Sequence, residues 1–220
     1  MPRRKPRKPA KPARAYHHGD LRAALIQAAL DMLEQDGSAG LSLRAVAKAV
    51  GVSEAAPYHH FADKEALERA LAAEGFGRLT DRLTGALMAS APGEDLLRLA
   101  AAYVGFALDA RGLFRLMSRL MSRLPLDRAQ HDELAALSEG TLTPLAAAVA
   151  KRMLPWGADA DVVGFAALTL WTQLHGLAEI LLSRAADQDP ARYGPRLARL
   201  MEFFEDGLEA ATRGQIARAG

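Results

Sequence analysis

The 220-residue chain has no cysteine, which excludes disulfides, thiolate metal sites and thiol redox sensing and suits a reducing cytoplasm. Acidic residues are absent from positions 1–14. There Arg3, Arg4, Lys5, Arg7, Lys8, Lys11 and Arg14 hold seven of the 28 basic side chains, leaving 21 basic against 26 acidic in the remainder. The pI of about 9.0 therefore describes a basic arm on a slightly acidic body. That arm lacks a long apolar stretch followed by a small-residue cleavage pattern, so it does not read as a signal peptide. With Pro2, Pro6, Pro9 and Pro12 spaced through it, residues 1–15 are expected to be disordered. An arm that seeks phosphates or a minor groove and a merely solvated tail are both open readings.

Catalytic and metal-binding patterns are missing too. No HExxH and no Ser-His-acid order can be picked out, and Thr80 stands where a GxGxxG loop starting at Gly75 requires glycine. The histidines (His17, His18, His59, His60, His131 and His175) offer no pair at i, i+4 with a carboxylate partner. No enzyme, metal or cofactor is expected. No alternating strand pattern of useful length occurs, and 50% of the chain is apolar, enough to bury a core in one medium domain or two small ones. The expected fold is all-α.

What is present is organised around Leu41 to Leu67. Leu43, Val46, Ala47 and Val50 recur at helical spacing, and Gly51 is suited to the left-handed conformation just past a helix end. Ser53 is placed to cap a second short helix, and Asp63 a third. Two short helices around a three-residue turn form a helix-turn-helix, which lays its second helix in the DNA major groove. By residue type, Arg44, Lys48, Tyr58 and Lys64 are expected at phosphates, and Ser42, Ser53, Glu54, Ala55, Ala56 and His59 near base edges. For Glu54 two readings stand: an acceptor from cytosine N4, or a first-turn acid matched to the helix dipole.

Ala45, Ala47, Gly51, Val52, Ser53, Tyr58, Phe61, Lys64, Glu65 and Leu67, with Asp63, closely resemble the DNA-binding domain of the TetR family of transcriptional regulators. The likeness extends back over His18 to Gly40, so it covers roughly 18 to 67. Pro57 departs from it, since the family more often has Leu there. As the fourth residue of the second helix it would remove the bond to the Ser53 carbonyl and crowd it. The resemblance implies a head of three helices (16–67) followed by a helical regulatory and dimerisation domain (68–220).

Beyond Lys64 a long helix reaches about Met88, softly interrupted at Gly75 and Gly77, and Ala91-Pro92-Gly93 marks a boundary. Helices then read over Glu94 to Ala110, Leu113 to Leu124 (ended by Pro125), Asp127 to Met153 (with a bend near Gly140 to Pro144), Asp159 to about Ser183, and Pro190 to Thr212. Val162 to Leu182 is long enough to span a membrane, but Thr169, Thr172, Gln173, Glu179 and Ser183 lie near one face with His175 beside it, so no membrane is expected. In TetR-like proteins the last two long helices form the homodimer interface, which here implies about 160–184 and 192–212.

Trp171, His175 and Gly176, a W-x3-H-G set, resemble the family's WHG subgroup. Either Gly176 permits close helix contact and Trp171 fills core, or His175 contacts a ligand. TetR-like bodies commonly hold a small apolar effector, and that resemblance makes Tyr103, Phe106, Phe114, Met117, Met121, Phe165 and Trp171, with His175, the candidate liners. The expected function is a cytoplasmic, ligand-responsive, dimeric repressor on a palindromic operator of double-stranded DNA. A helical carrier or enzyme retaining the head, and a DNA-binding factor without inducer, are the alternatives.

Overall fold

The computed structural model describes residues 18–122, 133–184 and 189–219. The arm over 1–15, with Tyr16, His17, Pro125, His131 and the expected helix start at Asp127, lies outside the described residues. The chain is all-α: α1 (His18–Gly40), α2 (Leu43–Val50), a 3-10 turn (Ala56–His59), α3 (Lys64–Met88), α4 (Asp95–Asp109), α5 (Arg111–Met121), α6 (Glu133–Gly140), α7 (Leu142–Met153), a second 3-10 turn (Leu154–Trp156), α8 (Ala160–Ser183) and α9 (Pro190–Ala219).

Local chemistry accounts for the helix ends. Asp63 and Asp159 cap α3 and α8 through Ala66 N–H and Val162 N–H, at 2.7 and 2.8 Å. Gly51 ends α2 with φ 79°, a conformation that penalises any Cβ, while its N–H donates to the Ala47 carbonyl. At φ 66° Gly37 breaks α1, and one further turn runs on to Gly40. The expected soft interruption at Gly75 and Gly77 does not occur, since α3 runs through both. The helix expected over 127–153, with a bend near Gly140 to Pro144, is divided at that place into α6 and α7, with Thr141 between them donating its hydroxyl to the Ser138 carbonyl.

Helix α3 joins the parts. Its N-terminal half buries Leu67 and Leu71 and its C-terminal half Phe76, Leu79 and Leu83, all in one continuous core with Leu25 of α1 and Val46 of α2. At the centre of the body lies α4, burying residues around nearly its whole circumference against α3, α7, α8 and α9. Helix α8 is long and apolar enough to cross a membrane by length and composition. In the fold Val163, Ala167, Leu170, Leu174, Ala178 and Leu181 pack into the core, while Phe165, Leu168 and Ile180 stay exposed.

Candidate nucleic-acid interface and inner cavity

The first site is built on α2 and the turn that follows. Ser42, Arg44, Lys48, Ser53, Glu54, Ala55, Tyr58, His59 and Lys64 are exposed and Ala56 is half-buried. Ser42 uses its hydroxyl oxygen to cap α2, accepting from Ala45 N–H at 3.1 Å. Arg44 and Glu54 form an ion pair at 3.4 Å that bridges α2 to the turn. Lys64 points its ammonium inward, donating to the Ser38 carbonyl at 2.8 Å and lying 3.8 Å from Glu68. Its first partner is therefore the end of α1.

The second element of the motif is no α-helix. Ala56–His59 is a single 3-10 turn with no side-chain cap, so the expected Ser53 cap is not made, and Pro57 is buried. The Ser53 carbonyl accepts from Ala56 N–H at 3.0 Å, three residues on, so it does not need the N–H that Pro57 lacks. Phe61, buried behind the turn, lies 5.6 Å from the Arg22 guanidinium of α1.

The second site lies inside the body. Tyr103, Phe114, Met117, Met121, Trp171 and His175 line one small cavity with Phe76, Leu79, Ser118 and Thr141; its free volume is about 10 Å³. Two expected liners are elsewhere. Phe106 is buried in the core but not on this wall. Phe165 is 73% exposed, because six helical residues from Trp171 is a rotation of about 240°; it lines the groove between α8 and α9. Ser118 was missed, although it follows Phe114 by four residues and so shares its helix face.

A polar chain threads this apolar wall. Tyr103 hydroxyl and His175 Nδ1 are 3.0 Å apart, Ser118 Oγ lies 3.5 Å from His175 Nε2, and the Ser118 hydroxyl donates to Glu179 Oε1 at 2.7 Å. Each group is satisfied in turn when Tyr103 donates to Nδ1 and Nε2–H donates to Ser118. Burial lowers the His175 pKa, opposed by the Glu179 charge, which favours the neutral ring this scheme requires. Burial also pushes the Tyr103 hydroxyl well up, so it stays protonated. Trp171 stacks on His175 at 5.2 Å and Phe114 tilts against it at 5.3 Å. The order differs from a nucleophilic triad, because the carboxylate holds the serine rather than the imidazole Nδ1. Among the described residues, no cluster of three His, Cys, Asp or Glu suits a metal.

An exposed helix-turn-helix carried on a helical body defines a DNA-binding transcriptional regulator. Residues 25–80 match the family described as bacterial regulatory proteins, tetR family, and residues 96–213 the tetracyclin repressor-like C-terminal domain. The chain belongs to the TetR family. The resemblance to the WHG subgroup is not confirmed. An uncharacterized HTH-type transcriptional regulator of Mycobacterium tuberculosis, Rv0681, is 25% identical over 76% of this chain and 72% of its own length. A solved structure of a protein of unknown function from Rhodococcus sp. RHA1 is 32% identical, with TM-score 0.75 over 90% of this chain and 100% of that one. A tetR-family regulatory protein from Rhodococcus RHA1 shares the fold at TM-score 0.62 and 20% identity, over 84% of this chain and 94% of that one.

Proposed function

We propose that this chain is a cytoplasmic homodimeric repressor that binds a near-palindromic operator and releases it when a small, mostly apolar molecule occupies the inner cavity. The observation that carries the ligand reading is the polar chain from Tyr103 through His175 and Ser118 to Glu179 inside a wall of Phe76, Phe114, Met117 and Met121. Such a wall, with a few convergent polar groups, is the ordinary make-up of a small-molecule site. At about 10 Å³ the space is closed, and Met117 and Met121 are the flexible side chains whose displacement opens it.

The dimer reading is supported by Phe165, Leu168 and Ile180 of α8 and Phe203 of α9, exposed by 73, 41, 52 and 75%. Cβ positions built at Gly176 and Gly207 meet nothing within 4 Å, which leaves room for another helix. In the head, Arg44, Lys48, Tyr58 and Lys64 take phosphates, and Ser42, Ser53, Glu54, Ala55, Ala56 and His59 face base edges. Two heads on one face of the duplex require half-sites about 34–36 Å apart, or more if the operator is longer. A ligand that prefers a form with another separation weakens DNA binding by that preference.

The test is selection of the purified protein against random duplexes at roughly physiological salt. A palindromic motif, lost with Tyr58→Ala or Lys64→Ala, is the expected result. Only salt-sensitive, sequence-blind binding would overturn the reading in favour of a helical carrier or enzyme.

A further inference from the structure

Helix α5 presents Phe114, Met117 and Ser118 to the inner cavity, and it is also fastened to the reading head. It has no cap of its own: Ala110 makes no side-chain bond to its first turn. The first-turn donors go instead to a carboxylate from another helix. Glu34 of α1 accepts from Gly112 N–H and Leu113 N–H, at 3.0 Å each, and its charge matches the positive end of the α5 dipole. Gly112 makes the approach possible, since a Cβ there would stand 2.1 Å from the Leu33 carbonyl oxygen.

The other end is held by charge. Arg119 pairs at 3.0 Å with Glu68, a carboxylate buried on α3. Glu68 also faces Lys64, whose ammonium holds the last turn of α1. Between these ties Met117 sits in a notch on α3, where a Cβ on Gly75 would come within 2.5 Å of its sulfur. A ligand too large to be accommodated by side-chain rotation at Met117 presses on α5 itself, and so on its ties to Glu34, Glu68 and Gly75 together.

We infer that Glu34 and Arg119 are positioning residues that couple occupancy of the inner cavity to the helix-turn-helix, through α5. This rests on the ligand-responsive reading above. Neither residue lines the inner cavity or is among the expected DNA contacts. Each fixes the register of α5 against α1 or α3, so removing either leaves both sites intact and uncouples them. Coupling of this kind is reciprocal: DNA held by the head also tightens the Glu34 clamp.

The test uses the full chain and the duplex recovered by selection, with Ser118→Phe placing a ring in the cavity as the surrogate for a ligand. In the wild-type background Ser118→Phe is expected to weaken duplex binding about tenfold, within the usual range of allosteric coupling. In Glu34→Gln or Arg119→Gln backgrounds the same change is expected to cost about twofold or less. The double-mutant cycle cancels the direct effect of each altered charge on DNA affinity. Equal losses in all backgrounds overturn the inference.

Hydrogen exchange at Gly112 and Leu113 serves if Ser118→Phe does not fold. Duplex should slow both amides about tenfold in wild type and not in Glu34→Gln; unchanged exchange in wild type overturns the coupling. If wild type recovers no specific duplex at all, the repressor reading itself falls, and the coupling with it. Specific binding with equal losses defeats the coupling alone.

Discussion

Gly112→Ala tests the crossing of α1 and α5 directly. The added methyl would lie 2.1 Å from the Leu33 carbonyl oxygen and 2.5 Å from its carbon, both backbone atoms that no rotamer change can clear. Ordinary contact, at 3.4 Å or more, requires the helices to part by at least about 1.3 Å, an overpacking strain of roughly 1–3 kcal/mol. Parting them also lengthens the two 3.0 Å bonds from Glu34 beyond hydrogen-bonding range. Glu34 is exposed, so water replaces much of that loss, and we assign it about 1 kcal/mol in total. Against this, alanine gains up to about 1 kcal/mol over glycine in a helix. The net expectation is a loss of about 2 kcal/mol, or roughly 4–8 °C in melting temperature for a chain of this size. Gly77→Ala is the control, because its Cβ would meet nothing within 4 Å; it should stabilise by about 0.5–1 kcal/mol. Urea unfolding followed by far-ultraviolet circular dichroism reads both. A Gly112→Ala protein as stable as wild type would refute the close crossing and the clamp built on it.

Three further outcomes are expected. Phe165→Asp combined with Phe203→Asp should convert the proposed dimer to a folded monomer by sedimentation velocity, because both side chains are 73–75% exposed in a single chain; a variant still dimeric at micromolar concentration refutes the α8 and α9 interface. Since burial lowers the His175 pKa, the unfolded chain binds the proton more readily, so stability should fall as pH drops below about 6.5 and continue to fall until the folded-state value is passed. His175→Gln should flatten that slope in thermal melts between pH 7.5 and 5.5, and an unchanged slope assigns it elsewhere. Asp95, 1% exposed and 3.2 Å from Lys151, should cost about 2 kcal/mol on replacement by Ala, less than a fully buried pair because Lys151 is 59% exposed and resolvates; urea unfolding within 0.5 kcal/mol of wild type sinks this.

The parts of the fold legible in sequence were those decided within a few residues. Asp63, Asp159 and Gly51 act on their own helix ends, and their types alone determine what they do. Helical spacing also assigned Trp171 and His175 to adjoining positions on α8. It did not say which phase of α8 faces α4 and α5, and so Phe165 was grouped with them although it points the other way. The Glu34 clamp spans 78 residues to Gly112 and has no local signal: an exposed carboxylate on α1 and a glycine after Arg111 each look ordinary alone. Lys64 is similar, since its residue type suits a phosphate equally well as the Ser38 carbonyl that it reaches.

Pro57 changes what the head can read. In an α-helix it would leave the Ser53 carbonyl without its donor; in the 3-10 turn that carbonyl pairs with Ala56 N–H, and Tyr58 N–H pairs with Ala55 at 3.2 Å. The turn closes where His60 and Phe61 N–H both donate to the Pro57 carbonyl at 2.9 Å, and Phe61 anchors it to the core. With three residues per turn rather than 3.6, positions three apart eclipse, so Ala55 and Tyr58 share one edge while Ala56 and His59 share the next. An α-helix of the same length would rotate each pair about 60° apart. Base contacts carried over from a relative with an α-helical reader would therefore assign these four side chains to the wrong edges, and the operator of this protein has to be found by selection rather than by analogy.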